Sequence, residues 1–274
     1  MTIATSTTKY PVNWVNVIYL GSIHLAALFA LLPGNFSWDC IALVLFLHWI
    51  TGGLGITLGW HRLISHRSFQ TPKWLEYFFV LCGALACQGG VISWVGLHRQ
   101  HHAHSDQTLD PHDSNRGFWW SHMGWMFYDI PAHNEIPRFT KDISEDKFYQ
   151  FCQNYFVPIQ VVLGLVLFAI GGWSYVVWGI FVRLVVVFHC TWFVNSATHR
   201  FGYRTHESDD KSKNCWWVAV LTYGEGWHNN HHAFQYSARH GLAWWEVDMT
   251  WMTIQLLQTL GLAQKVKLPN ISNS

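Results

Sequence analysis

The stretch "WDCIALVLFLHWITGGLGITLGWHRLISH" (residues 38–66) joins an apolar run directly to a pair of histidines. Residues 38–58 approach the length of about 20 apolar residues that a helix needs to cross a bilayer. His61 and His66 follow at once. A separation of five residues is roughly 140° around a regular helix, so both can reach one site only if the helix ends or distorts between them. The stretch predicts a membrane span that leads into a histidine site.

The composition of the whole chain is that of a membrane protein. Half of the 274 residues are hydrophobic, 18 are tryptophan, and 12% are charged, whereas soluble domains contain about 25% charged residues. The net charge of +1 gives no reason to expect a nucleic-acid partner. The six cysteines form no Cys-x-x-Cys pair. We therefore expect reduced cysteines that pack as small apolar side chains, rather than a disulfide framework or an iron–sulfur site.

Four apolar runs are predicted to cross the membrane as two helical hairpins. They cover about residues 14–32, 38–58, 155–170 and 173–194. The joints, "PGNFS" (33–37) and Gly171–Gly172, are short and uncharged. Of the 17 Lys and Arg, only Arg183 lies in a proposed span and none lies in a joint. The positive-inside rule therefore predicts that both termini and a helical cap, about 60–154 and 195–274, lie on the cytoplasmic side.

A fifth apolar run, Trp74–Val95, is predicted not to cross the membrane. It is interrupted by Glu76, Gln88 and Gly89–Gly90. If it did cross, the histidines before and after it would lie on opposite sides of the bilayer. We expect a helix buried against the protein or lying at the interface, with five spans as the alternative.

Two further histidine boxes, "HRQHH" (98–102) and "HNNHH" (228–232), repeat the pattern His-x-x-His-His. Positions i, i+3 and i+4 share one helix face, so each box presents three imidazoles together. Eight ligands are too many for one tetrahedral zinc and favour two metals with open positions for oxygen or substrate. The eight candidate ligands are His61, His66, His98, His101, His102, His228, His231 and His232.

Some histidines and one carboxylate have alternative interpretations. Single histidines in a membrane protein are usually capped or interfacial, which is the expectation for His24, His48, His133 and His240. Ferritin-like di-iron proteins use paired Glu-x-x-His motifs, but Glu225-Gly-Trp-His228 occurs once. Glu225 is thus either a partner that fixes an imidazole tautomer or a structural residue.

The sequence resembles the membrane-bound fatty-acyl desaturases, specifically their Δ9 branch. The resemblance rests on "GITLGWHRLISHRSF" (55–69), "HRQHHAHSDQTLDPHDSNRGFWWSHMGW" (98–125), "NSATHRFGYR" (195–204) and "GEGWHNNHH" (224–232). It implies a single domain over 1–274, an all-α fold of four spans under a cytosolic cap, and a di-iron centre. It also supplies a ninth ligand, His199, and Asn195 as a ligand through a water.

The resemblance implies oxidation of a saturated acyl chain of sixteen or eighteen carbons at Δ9. Two adjacent methylenes lose two hydrogens, and O2 becomes two waters. No catalytic residue is expected beyond the metal ligands, because an unactivated C–H bond offers acid–base catalysis nothing to act on. Two of the four electrons come from the substrate and two from a separate donor protein, with ferredoxin favoured over cytochrome b5. The acyl chain is expected in a narrow apolar tunnel, which Trp94, Trp119, Trp120 or Trp227 could line, although packing is the favoured role for each.

The chain departs from the acyl-CoA branch at two places. Gly89–Gly90 and Leu97 stand where polar groups are expected, and "GWMFYDIPAHNE" (124–135) has no basic pair. Groups that would hold a CoA phosphate are therefore missing, which favours the bacterial type that acts on chains esterified in membrane glycerolipids, in a plasma or thylakoid membrane. The alternatives are an acyl-CoA Δ9 desaturase, a di-iron fatty-acyl hydroxylase, and a metal-binding membrane protein.

Overall fold

The computed structural model describes residues 10–270, and within them the chain is helical, with isolated β-bridges and no strand. The predicted all-α class is therefore confirmed. In chain order the helices are α1 (Trp14–Ala27), α2 (Trp38–His48), α3 (Lys73–Ala84), α4 (Val91–His104), α5 (Phe118–His122), α6 (Ile136–Phe139), α7 (Lys147–Val176), α8 (Arg183–Ser196), α9 (Trp216–Leu221), α10 (His228–Ala233) and α11 (Met249–Thr259).

Within residues 10–270, three helical stretches are long and apolar enough to cross a membrane, namely Trp14–Leu31, Trp38–Ser65 and Lys147–His199. The third stretch, of 53 residues, contains a reversal of direction at the predicted joint. Gly172 there has φ 64° and ψ −154°, a conformation that glycine adopts readily. A Cβ on Gly179 would lie 2.7 Å from Leu167 Cδ1, so residues on either side of the reversal face each other as in a helical hairpin.

The surfaces of these stretches are apolar where they face outward. Leu25 is 68% exposed, Leu31 81%, Leu165 65% and Ile170 70%. Contiguous exposed apolar surface of this kind marks contact with a membrane or a partner, and its extent over several long helices favours lipid.

The second predicted span continues further than its apolar run. After α2 the helix widens over Trp49–Ser65, and the N–H of His66 donates to the carbonyl of His61, five residues back (3.1 Å). Every residue from Thr51 to Ser65 is buried. Polar residues after Leu58 can therefore stay in the helix, because protein rather than lipid surrounds them.

The run 74–95 divides into α3 and α4, of 12 and 14 residues, which supports the expectation that it does not cross. Between them Cys87 (φ 53°) and Gly89 (φ 89°) break the helix. The buried guanidinium of Arg183 donates from Nη1 to the carbonyl of Leu85 (2.5 Å). The one basic residue in a predicted span thus caps a helix end inside the protein, where carbonyls need partners.

The contact of the wide helix with α3 depends on glycine, and this can be tested. A Cβ on Gly55 would collide with the backbone of Gly83. We expect Gly55→Ala to lower the free energy of unfolding by about 1–3 kcal/mol through overpacking, measured by thermal unfolding in detergent. Gly21→Ala on α1 is the control, since its Cβ would meet nothing within 4 Å. Equal stability of the two variants would contradict this packing.

Candidate metal centre

The nine predicted histidines converge into two groups. The five-histidine group consists of His61, His66, His98, His102 and His231, and the four-histidine group of His101, His199, His228 and His232. Within each group the ligand atoms all lie within 4.8 Å of one another. The two His-x-x-His-His boxes each contribute to both groups, so they form facing walls of one site.

The box on α4 turns its non-histidine residues away from the site. Arg99 donates from Nε to the carbonyl of Ser65 (3.1 Å) and from Nη2 to that of Ile64 (2.8 Å). Gln100 Nε2 donates to the carbonyl of Leu109 (2.8 Å). Arg99 therefore fastens this box to the end of the wide helix, beside His66.

The box on α10 is anchored by its two asparagines. Asn229 Oδ1 accepts the N–H groups of Thr205 and His206, each at 2.8 Å. Asn230 Nδ2 donates to Glu246 Oε2 (2.8 Å), and its Oδ1 accepts from Asn214 Nδ2 (2.8 Å). Both asparagines are fully or almost fully buried. The pattern His-Asn-Asn-His-His thus places ligand atoms on one face and anchors on the other.

His61 and His66 meet because the helix distorts between them, as the sequence predicts. With hydrogen bonds to the fifth residue back, the two residues lie one above the other, and their Nε2 atoms are 3.2 Å apart. Helix segments with this wider hydrogen-bonding pattern occur frequently at functional sites.

His199 lies on a short 3-10 turn, Ala197–His199, that follows α8. It joins the four-histidine group, where the sequence alone offered no pattern to place it. Asn195, one turn earlier, lines the cavity next to His101 and His228.

The Nε2 atoms of the five-histidine group face one another. His66 Nε2 lies 2.7 Å from His98 Nε2, and His231 Nε2 lies 2.9 Å from His102 Nε2. His61 Nδ1 points outward and lies 2.8 Å from Glu225 Oε2, although the two atoms are not aligned for a hydrogen bond.

The four-histidine group has the same arrangement. His199 Nε2 lies 3.2 Å from His228 Nε2, and His101 Nε2 lies 3.4 Å from His232 Nε2. Where Nδ1 donates to a carboxylate, Nε2 carries a lone pair, and lone pairs at these distances repel unless a cation lies between them. Neutral imidazole nitrogen is a suitable ligand for iron, zinc, copper and nickel, so the two groups fit two such metal ions.

Three aspartates that sequence reasoning missed complete the four-histidine group. Asp110 Oδ2 accepts from His101 Nδ1 (2.9 Å), Asp106 Oδ2 accepts from His199 Nδ1 (3.0 Å), and Asp210 accepts from His232 Nδ1. Such partners fix the tautomer of a ligating histidine. The signal in the sequence was the pair of acids just after the box, in "HSDQTLD" (104–110); Asp210 lies over 20 residues from its partner and has no comparable signal.

The protonation of these pairs suits metal binding at neutral pH. Burial acts to raise the pKa of Asp210, but its hydrogen bond with His232 lowers that pKa below the ordinary value. Burial lowers the pKa of His232 to about 4, and it lowers the pKa values of His98 and His102 well below the ordinary value. These imidazoles are therefore neutral at pH 7, and the carboxylate is ionised.

A buried ion cluster joins the five-histidine group to the segment before α10 and to the start of α11. The fully buried Arg62 donates from Nε to Glu225 Oε1 (3.0 Å) and from Nη1 to Asp248 Oδ2 (2.9 Å). Glu225 contacts His61, and Asp248 caps the start of α11 through the N–H of Trp251 (2.9 Å). Of the two interpretations of Glu225, the structure favours that of an imidazole partner.

A cavity extends from the histidines along the wide helix. Its lining runs from His61 back to Gly52 and to His48 at the end of α2. Its walls include Ile56, Val187 and other apolar residues of α8 and α9. Among the tryptophans considered from sequence, Trp94 lines this cavity and stacks on His98 with ring centroids 5.3 Å apart.

The other three tryptophans have the packing or surface roles expected for them. Trp119 is 71% exposed, Trp120 lies beneath the guanidinium of Arg116, and Trp227 donates to the carbonyl of Val247 (2.9 Å).

Among the single histidines, His24 and His48 have the expected capped character. His24 Nδ1 lies 2.7 Å from the carbonyl of Leu20, and His48 Nε2 lies 3.2 Å from that of Leu221. His240 differs from that expectation, since it is fully buried with Nδ1 3.0 Å from Glu225 Oε2. It therefore belongs to the surroundings of the five-histidine group.

The described part of the chain thus combines helices long and apolar enough to cross a membrane with two histidine groups that could hold metal ions. The family model described as fatty acid desaturase matches residues 36–258. The chain belongs to the fatty acid desaturase family.

Several characterised proteins are similar over nearly the whole chain. A protein of Anabaena variabilis, named sn-1 stearoyl-lipid 9-desaturase, is 69% identical over 98% of this chain and 98% of its own length. A Synechocystis protein of the same name is 70% identical over 93% of this chain and 80% of its own length. A Nostoc protein named sn-2 palmitoyl-lipid 9-desaturase is 52% identical over 93% and 90%.

The buried ion cluster leads to a stability prediction. Arg62→Met leaves two buried carboxylates without their cation, and we expect a loss of about 3–5 kcal/mol in the free energy of unfolding. The triple variant Arg62→Met, Glu225→Gln, Asp248→Asn removes those charges too and should regain part of the loss. Unfolding in detergent measures both variants. A triple variant less stable than the single one would show that the charges are not the cause.

Proposed function

We propose that the protein is an acyl-lipid desaturase that introduces a double bond at carbon 9 of a saturated stearoyl chain at the sn-1 position of a membrane glycerolipid. The observation that carries the proposal is the convergence of nine imidazoles into two groups beside an apolar cavity. The 69–70% identity to proteins named sn-1 stearoyl-lipid 9-desaturase supports the substrate and the position of the double bond.

The nine histidines would hold two iron ions, one in each group, with Asn195 as a further ligand through a water. Together with O2, the bound iron supplies the oxidising power that removes hydrogen from unactivated methylenes. The reaction balances when one O2, two hydrogens from the chain, two protons and two donor electrons give two waters and the alkene. Asp110 and Asp106 keep Nε2 of their histidines free to bind, since each accepts a hydrogen bond from Nδ1–H.

The protein's own contribution to the substrate is a rigid, dry passage beside the metals. Trp94 Nε1 donates to Gln88 Oε1 (3.1 Å), and Gln88 Nε2 donates to Thr191 Oγ1 (2.7 Å). These two bonds cross from α4 to α8 and fix Trp94 against His98. An acyl chain in the cavity would therefore pass the five-histidine group beside a Trp94 side chain held in one orientation. A fixed orientation of the substrate relative to the reacting groups increases the rate.

The lining of the cavity favours a lipid-esterified chain over acyl-CoA. Among the described residues the lining includes neither Lys nor Arg. A CoA phosphate would need charge-assisted contacts of that kind. A glycerolipid needs none, because its head group can stay in the membrane surface while its acyl chain enters the protein.

For the topology we propose four spans in two hairpins, both termini on the cytoplasmic side, and a cytosolic cap that carries the metal site, all as one domain in a plasma or thylakoid membrane. The reversal at Gly171–Gly172 supports the second hairpin. The placement of all Lys and Arg but Arg183 outside the spans supports the orientation.

The two electrons require a separate donor protein, for which we propose a ferredoxin rather than cytochrome b5. The six cysteines of the chain are buried and free, and their dispersal offers no cluster that would store electrons. Relatives from Anabaena and Synechocystis, which are photosynthetic bacteria, favour a ferredoxin.

The decisive experiment compares the lipids of a host that expresses this chain with those of its variants. The host must contain saturated glycerolipids and a ferredoxin system. We expect a new monoene with its double bond at carbon 9, released by an sn-1-specific lipase, and none with His102→Ala, which removes a ligand. A hydroxylated chain, or no new acyl species in membranes that contain iron-loaded protein and donor, would contradict the proposal.

The matched control is His104→Ala, on the same helix and two residues away. His104 belongs to neither histidine group, so this variant should form the monoene at the wild-type level. Loss of product in both variants would mean that the helix, rather than the ligand, had been damaged.

A further inference from the structure

The two histidine groups lie in unequal electrostatic surroundings. In the four-histidine group, three of the four imidazoles contact a carboxylate through Nδ1. In the five-histidine group only His61 does so among the residues that the structure describes. The group with fewer histidines is therefore the one with more carboxylates in contact with them.

Among the residues that the structure describes, no Lys or Arg forms an ion pair with the three aspartates of the four-histidine group. Asp110 also accepts the backbone N–H groups of Asp106 (2.9 Å) and His112 (3.0 Å). Asp106 also accepts the N–H of Lys211 (2.7 Å), and Asp210 accepts that of Ser212 (3.0 Å). Backbone and hydroxyl donors hold the carboxylates in place and keep them ionised, but they do not cancel the negative charge.

Glu225, the carboxylate that contacts the five-histidine group, lies in an ion cluster in which Arg62 offsets one of two negative charges, those of Glu225 and Asp248. Glu225 accepts from the guanidinium of Arg62 at 3.0 Å and also lies 3.0 Å from His240 Nδ1. The Nδ1 atoms of His102 and His231 are buried without a hydrogen-bond partner. These two imidazoles therefore gain no basicity from an anion.

A carboxylate that accepts a hydrogen bond from Nδ1–H makes Nε2 of the same imidazole a stronger ligand for a metal. Nearby negative charge also favours the oxidised, more highly charged form of that metal ion. We propose that the two metal positions are inequivalent: the four-histidine position binds its metal more tightly and holds it in the oxidised form, whereas the five-histidine position accepts the first donor electron. This rests on the proposed function, because it requires two irons.

The proposal gives Asp106, Asp110 and Asp210 a role as positioning residues that act through the ligands. The donor delivers its two electrons one at a time, so the half-reduced protein would carry Fe²⁺ in the five-histidine group and Fe³⁺ in the four-histidine group. The second electron then enters the position that is harder to reduce. A purely structural role for the aspartates would predict no such order.

The test uses full-length protein loaded with ⁵⁷Fe and titrated with a chemical reductant, followed by Mössbauer spectroscopy. We expect two quadrupole doublets of equal area that are reduced one after the other. Asp106→Asn, Asp110→Asn and Asp210→Asn keep an acceptor oxygen but remove the charge. Each should alter the same doublet, the one reduced last, and move its reduction to a higher potential. Glu225→Gln is the matched control and should alter the other doublet.

Metal retention gives a second readout that does not depend on activity. Against a chelator, the wild-type protein should lose the five-histidine iron first. In each aspartate variant the affinity for the four-histidine iron should fall by about 10–100-fold, while the affinity for the other iron stays unchanged. If an aspartate variant alters both doublets equally, or if the doublet it alters is reduced first, the inference is wrong. If the wild-type chain binds no iron at all, the proposed function fails instead.

Discussion

Mutual repulsion among imidazole lone pairs is the constraint on which the rest of the structure depends. Nε2 atoms of neighbouring histidines approach to between 2.7 and 3.4 Å, and several of the opposing Nδ1 atoms meet carboxylates. Such a cluster is unfavourable without a cation and strongly favourable with one. The segments around the site have to hold nine side chains in this arrangement, which explains why the residues that anchor them are buried and polar.

The two His-x-x-His-His boxes are anchored in the same way. A residue on the opposite face of the same helix, such as Arg99 or Asn230, bonds to backbone or side chains of another segment. The ion cluster of Arg62 joins the end of the second span to the last box. Because each box is bonded to elements other than its own helix, the same hydrogen bonds stabilise the site and the fold around it.

Periodic features could be predicted from the sequence, and non-periodic ones could not. The i, i+3, i+4 spacing placed six histidines on two helix faces, and the five-residue spacing of His61 and His66 required the distortion that occurs. The interruptions at Gln88 and Gly89 argued against a fifth span, but the division of that run between two helices, α3 and α4, was not predicted. His199 required the family resemblance, and Asp210 and His240 meet their partners only through tertiary contacts between loops. No local pattern records such contacts.

The most direct test of the two-metal account is iron analysis combined with X-ray absorption at the iron edge on the purified protein. We expect two irons per chain and a first coordination shell dominated by imidazole nitrogen. Both features should be lost when the histidine boxes are substituted. A single iron per chain, or a shell in which sulfur or carboxylate oxygen predominates, would contradict it.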